Sequence, residues 1–273
     1  MSFFAQVCSE IGEYTRVEDA EEEVCELYSV YYSSNGTLRL DLVDPSKTEL
    51  TVELAGGTKT LALTIAQNPN INNEPGQTGA VLWNSSIITG EYLARRSTQG
   101  WDFSDMNVIE LGSGCGLVSI VMHQLGARRV VATDQARMMK LLTRNTDCNR
   151  VVPGRNRKPP TVLLATEYVW GRAPEDPRVF AEPVDVVVVS DCVYHESVAP
   201  LLVRSLVDVC MSRTDVRVVA LVGQELRSDI VHTAFVKELL EHFDVYRVPV
   251  QPSVDTSFVL YAMWLRGSHG PEH

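Results

Sequence analysis

Residues 108–116 read VIELGSGCG: Val108, Ile109 and Leu111 set around one acid, Glu110, followed by glycine at 112, 114 and 116. The apolar run reads as a buried strand, and LVSIVMHQL after it has helical spacing, so the glycines join a strand to a helix N-terminus. Glycine in such a turn permits positive φ and close approach of the backbone, which a nucleoside pocket requires. The dinucleotide fingerprint wants its third glycine one place later, where Leu117 stands, so that reading fails on spacing.

The 273 residues, 45% of them hydrophobic, suffice for one large α/β domain plus an extension. No apolar stretch is long enough to span a membrane, and MSFFAQVCSEIGEY lacks the basic start and apolar core of a secretory leader, which predicts a cytoplasmic protein. The six cysteines form no C-x-x-C pair, arguing against a metal site or a disulfide framework and for reduced, mostly buried thiols. Of the net charge of −11, residues 1–26 carry −7, eight acids against Arg16. Such a run is expected to be a solvated arm, helical or disordered, with docking to a basic surface as the alternative. The overall charge disfavours a nucleic-acid partner, since phosphate contacts need a cationic footprint. The small basic cluster Arg150, Arg155, Arg157 and Lys158 reads as an exposed connection.

Two hairpins are predicted after the arm, VYYSS with TLRLDLV around Asn35-Gly36 and ELTVEL with TKTLALTIAQ around Gly56-Gly57. NPNINNEPGQTG (68–79) reads as a link, and Val81–Leu93 as a helix with Asn84 and Ser85 as candidate caps. From 107 onward strands near 107–111, 129–133, 161–167, 184–190 and 217–223 alternate with helices near 116–126, 135–148, 197–211 and 228–242. This rhythm predicts a parallel, doubly wound sheet. FDVYRVPV and SFVLYAMWL close it as an antiparallel pair.

Ligands of such sheets bind beyond the carboxyl ends of the strands. That rule nominates Gly112, Ser113 and Gly114, whose backbone groups are expected to meet the amino-acid part of a ligand, and Asp134, which either accepts ribose hydroxyls or caps the next helix. Trp83 and Trp170 either pack on a purine face or cover the core. The fourth strand, DVVVVSD, ends in Ser190, Asp191, Cys192, Val193 and Tyr194. This DCVY lacks the prolines of the Asn- or Asp-Pro-Pro-aromatic turn with which enzymes methylate amide or nucleobase nitrogens. His195 is a lone loop histidine. Glu225 and Arg227 are either rim residues or an exposed ion pair.

Taken in order, GQTGAVLWNSSIITGEYL, VIELGSGCGLVSI, ATD, a Trp-Gly after the third strand and SDCVY after the fourth resemble the eukaryotic protein-lysine methyltransferases of the methyltransferase-16 family, over residues 76 to about 265. SDCVYHESVAPLL and QELR resemble its fungal elongation-factor-methylating branch. The resemblance implies a seven-strand class I methyltransferase (Rossmann-like) α/β sheet over 76–267; before it the acidic arm and β-hairpin extension are expected over 1–75, and after it a flexible tail at 268–273. It implies S-adenosylmethionine as cofactor, S-adenosylhomocysteine as product, and a cytosolic protein substrate such as elongation factor 1A. Trp83, Gly112, Ser113, Gly114, Asp134, Trp170 and Ser190 would then line the cofactor site, and Asp191 and Tyr194, matching an acidic-x-x-Tyr motif, would face the target lysine. Asn84 and Ser85 depart from the proline or alanine common after the family's tryptophan. A monomer without metal or membrane partner is expected. The alternatives are lysine methylation of a chaperone or an AAA-type ATPase, N-methylation of histidine or a small molecule, a non-catalytic cofactor-binding module, and a nicotinamide oxidoreductase, for which no hydride-transfer set is found.

Overall fold

A computed structural model describes residues 2–33, 42–56, 59–69, 79–150, 161–250 and 257–267. The chain divides into two compact units, one of Met1–Leu40, Trp170–Arg172 and Pro183–His273, the other of Asp41–Val169 and Ala173–Glu182.

The first unit begins with a short helix α1 (Phe3–Cys8), a three-residue strand β1 (Thr15–Val17) and helix α2 (Ala20–Ser33). The first expected hairpin is therefore corrected: 30–33 continue α2, and Asn35-Gly36 with most of TLRLDLV lies outside the described residues. The helix wins because Asp19 Oδ1 accepts the Glu22 N–H at 2.8 Å, three acids occupy the first turn, and Ala20, Val24 and Tyr28 bury one stripe at i, i+4 spacing. The acidic run is thus a packed helix whose Glu23 is itself buried.

In the second unit, β2 (Glu49–Gly56) and β3 (Lys59–Ala66) form the second hairpin as expected, antiparallel from Glu49↔Ala66 to Gly56↔Lys59. Helix α3 (Asn84–Thr98) lies on β2; its N-cap is Trp83, without a side-chain cap, rather than Asn84 or Ser85. Then follow β4 (Asn107–Leu111), α4 (Leu117–Gln124), β5 (Arg129–Asp134), α5 (Met139–Cys148) and β6 (Val162–Glu167), the three strands parallel in the order β4-β5-β6. The edge of β3 is closed by side chains instead of another strand: Asn145 on α5 accepts from Ala66 N and donates to Ala66 O, both at 2.9 Å, and Asn149 donates to Thr64 O at 2.8 Å.

Back in the first unit come β7 (Val186–Ser190), α6 (Ala199–Met211), β8 (Val219–Glu225), α7 (Asp229–His242), β9 (Phe243–Arg247) and β10 (Phe258–Leu265). Strands β7 and β8 are parallel, and β10 runs antiparallel to both β8 and β9, giving the order β1-β9-β10-β8-β7. The β-branched run of β7 is buried throughout, as a strand covered on both faces must be. Hairpin aside, the two units carry eight strands among the described residues where seven were expected. The addition is β1, paired with β9 at Thr15↔Arg247 and too short for any alternation to reveal. The thiols are only half as expected: Cys115, Cys192 and Cys210 are buried, whereas Cys25 and Cys148 are exposed.

Candidate active site

The second unit holds the glycine turn and Asp134. Gly116 caps α4 at φ +84°, and a Cβ there would lie 2.7 Å from Leu142 Cδ1; a Cβ on Gly114 would lie 3.0 Å from the Gly79 carbonyl oxygen. Both positions therefore admit glycine alone without rearrangement. The turn is stitched to the end of β5: Ser113 N donates to Thr133 O at 2.8 Å, Ser113 Oγ accepts from Thr133 N at 3.0 Å, and Gly114 N donates to Asp134 Oδ2 at 2.7 Å. One expectation changes here. The N–H groups of Ser113 and Gly114 are consumed within the protein, so at these two residues the turn contributes shape rather than donors.

Asp134 does not cap the following turn, whose N-cap is Gln135; its Oδ1 accepts the Gln135 N–H at 2.7 Å. Burial raises its pKa above the usual carboxylate value, against the two backbone N–H groups that lower it. Glu110, wholly buried behind the turn, accepts from Ser119 N at 2.9 Å and from the Ser119 hydroxyl, yet burial pushes its pKa up to about 7. Trp83, at the entrance to α3, is half-buried.

The first unit holds the other expected residues. Ser190 ends β7 with its hydroxyl buried, and Trp170 carries a buried indole N–H; neither has a hydrogen-bond partner among the described residues. Asp191 follows at φ +58°, in a region side chains rarely enter, and its N–H donates to Gly223 O at 2.8 Å. Its carboxylate is 1% exposed and collects donors: Gln224 Nε2 at 3.2 Å, Arg227 Nη1 at 2.7 Å, and Arg227 Nη2 on the second oxygen. Arg227 Nη2 also donates to Glu225 Oε2 at 2.6 Å. Tyr194, 44% exposed, lines a small cleft with Gln224, Glu225, Arg227, His232 and Phe235. His195 is not in that lining; its Nδ1 accepts Ser197 N and so caps a short turn.

Sequence reasoning missed Gln224 and the pairing of Asp191 with Arg227. A signal existed: once β7 and β8 are set in parallel with Ser190 opposite Gly223, the residues after each strand must be neighbours. Behind the cleft, Tyr261 donates to Glu23 Oε1 at 3.1 Å and therefore accepts from His232 Nε2 at 2.9 Å, the neutral tautomer that burial enforces by lowering the histidine pKa to about 4.

The glycine turn and the strand-end acid of one unit, and the acid-led loop after β7 of the other, are features expected of the class I methyltransferase fold. A family model described as lysine methyltransferase matches residues 61–242, and the chain belongs to that family. Protein-lysine N-methyltransferase EFM6 of Saccharomyces cerevisiae is 30% identical over 149 residues, 48% of this chain; the chain thus spans little more than half, 57%, of that relative. EEF1A lysine methyltransferase 3 of Xenopus tropicalis is 29% identical, covering 62% of this chain and 74% of its own. Protein-lysine methyltransferase METTL21E of Mus musculus is 30% identical, covering 65% and 68%. Among solved structures, magnesium protoporphyrin IX methyltransferase of Synechocystis PCC 6803 with bound SAH superposes with a TM-score of 0.45 at 10% identity, over 66% of this chain and 83% of that one.

Proposed function

We propose that the chain methylates a lysine side chain of another protein, with elongation factor 1A as the first substrate to try, since a relative is named for that target. The observation that carries the reading is the bond from Gly114 N to Asp134 at the glycine turn, within the stretch matched by the lysine methyltransferase family. Features of each unit support this cofactor: in one, a turn closed to any Cβ and a carboxylate at a strand end; in the other, the Trp170 and Ser190 donors, which have no hydrogen-bond partner among the described residues. Bound there, S-adenosylmethionine supplies a methyl carbon on a positively charged sulfur and leaves as the thioether S-adenosylhomocysteine.

Trp83, Gly112, Ser113, Gly114, Asp134, Trp170 and Ser190 hold the cofactor in this reading, with Asp134 taking the ribose hydroxyls on the lone pairs its backbone donors leave open. Asp191 and Tyr194 serve the acceptor. Lysine, with a pKa of about 10.4 in water, must lose its proton before the nitrogen attacks. Asp191 supplies the negative charge that draws the ammonium in, and Tyr194 narrows the approach and excludes water, so that positioning supplies much of the rate. We take the enzyme to act as a cytosolic monomer on protein rather than nucleic acid. No helix among the described residues is long and apolar enough to cross a membrane.

Incubating a hypomethylated cell lysate with the protein and isotopically labelled S-adenosylmethionine tests this. A labelled lysine peptide is expected; label confined to nucleic acid, histidine or metabolites refutes it.

A further inference from the structure

The acid that serves the acceptor does not stand alone. Asp191, Glu225 and Arg227 are linked by the guanidinium, which donates through Nη1 to Asp191 at 2.7 Å and through Nη2 to Glu225 at 2.6 Å. The cluster comes from two strand ends and the loop after β8, and it carries one net negative charge beside a cleft with apolar walls at Val193, Val231 and Phe235. Two carboxylates without the arginine would hold two negative charges there.

We propose that Arg227 is a positioning residue that sets the proton affinity of the substrate amine. Resting on the lysine-methylation reading, this assigns to Arg227 a task distinct from folding. An ammonium entering beside a doubly negative site is held tightly and keeps its proton, because nearby opposite charge favours the charged form. Beside a singly negative site it is still attracted but released more readily to the neutral amine, the only form that attacks. The arginine thus sacrifices ground-state attraction for a larger reactive fraction, in keeping with the general rule that tight substrate binding alone does not accelerate chemistry.

Among the described residues, two other titratable groups line the cleft. Tyr194 comes from the loop after β7, and His232 from α7 is buried and neutral, hydrogen-bonded to Tyr261 of β10, whose hydroxyl donates to Glu23 of α2. Arg247 Nη1 in turn stands 3.4 Å from Glu23, so that carboxylate is answered locally.

The test is the pH dependence of kcat, which reports groups in the enzyme–substrate complex. Rates are measured between about pH 6.5 and 10 on the protein labelled by the wild type, for wild type, Arg227→Gln, Arg227→Lys and Glu225→Gln. Arg227→Gln is expected to move the apparent pKa of kcat up by about one unit while lowering KM, Glu225→Gln to move it down by a similar amount, and Arg227→Lys to follow the wild type. Coincident profiles, or both Gln variants shifting the same way, overturn the inference. Should Arg227→Gln fail to show a cooperative thermal melt, the acid shift of Glu225→Gln decides. A wild type that labels no lysine overturns the proposed function and this inference together; a wild type that labels lysine with immobile profiles overturns the inference only.

Discussion

Two aspartates sit at the ends of parallel strands, Asp134 closing β5 and Asp191 following β7, and they are held in opposite ways. Asp134 is bound by backbone N–H groups of Gly114 and Gln135, whereas Asp191 is gripped chiefly by the side chains of Arg227 and Gln224. A carboxylate fixed by the main chain is as rigid as the fold and suits a ligand that never changes. One fixed by a guanidinium keeps a countercharge beside it, which suits a partner that must gain and lose a proton.

The sharpest way to break this contrast is to remove each acid in turn. Asp191→Ala is expected to lower methyl transfer by about a thousandfold, a loss typical of deleting an electrostatic contact to the reacting group. Cofactor affinity, read by calorimetry, should stay nearly unchanged. Asp134→Ala should instead weaken cofactor binding by about tenfold to a hundredfold, the worth of hydrogen bonds to a charged acceptor. Equal loss of cofactor in both variants would erase the distinction.

A second probe uses one buried titratable group from each unit. Burial raises Glu110 from 4.5 to about 7, so its contribution to stability is full below pH 4.5 and is lost as pH rises to 7. Burial lowers His232 from 6.5 to about 4, so its contribution is full above pH 6.5 and is lost as pH falls to 4. At about 1.36 kcal/mol per pH unit, each window is worth at most about 3.4 kcal/mol. Urea titrations at a series of pH values should give wild-type-minus-variant curves of opposite slope for Glu110→Gln and His232→Gln. Parallel slopes would show that other groups govern the acid range.

The smallest effect concerns the backbone-built half. Gly116→Ala, at φ +84° against Leu142, should cost about 1–3 kcal/mol in denaturant unfolding. An alanine tolerated without loss would mean the turn is less fixed than its contacts imply.

The same contrast explains what could be read from sequence. The turn at 112–116 and Asp134 were legible because their geometry is local: glycine spacing, strand end and helix start follow one another along the chain. The alternation from β4 to α7 was legible because buried parallel strands are continuous apolar runs. The link from Asp191 to Arg227 was not, because it joins residues 36 apart through the register of β7 on β8. Helix α2 was hidden for a different reason: its stripe of Ala20, Val24 and Tyr28 lies inside an acidic run, and the aromatic stretch at its end alternates like a strand.

That helix has a practical consequence. A protein trimmed of its acidic N-terminus, as a charged arm would invite, loses the Glu23 acceptor beneath Tyr261 and removes the only short cap on the outer edge of β9 among the described residues. Bare strand edges recruit other chains. Truncation before α2's end should therefore promote aggregation before it says anything about substrate choice.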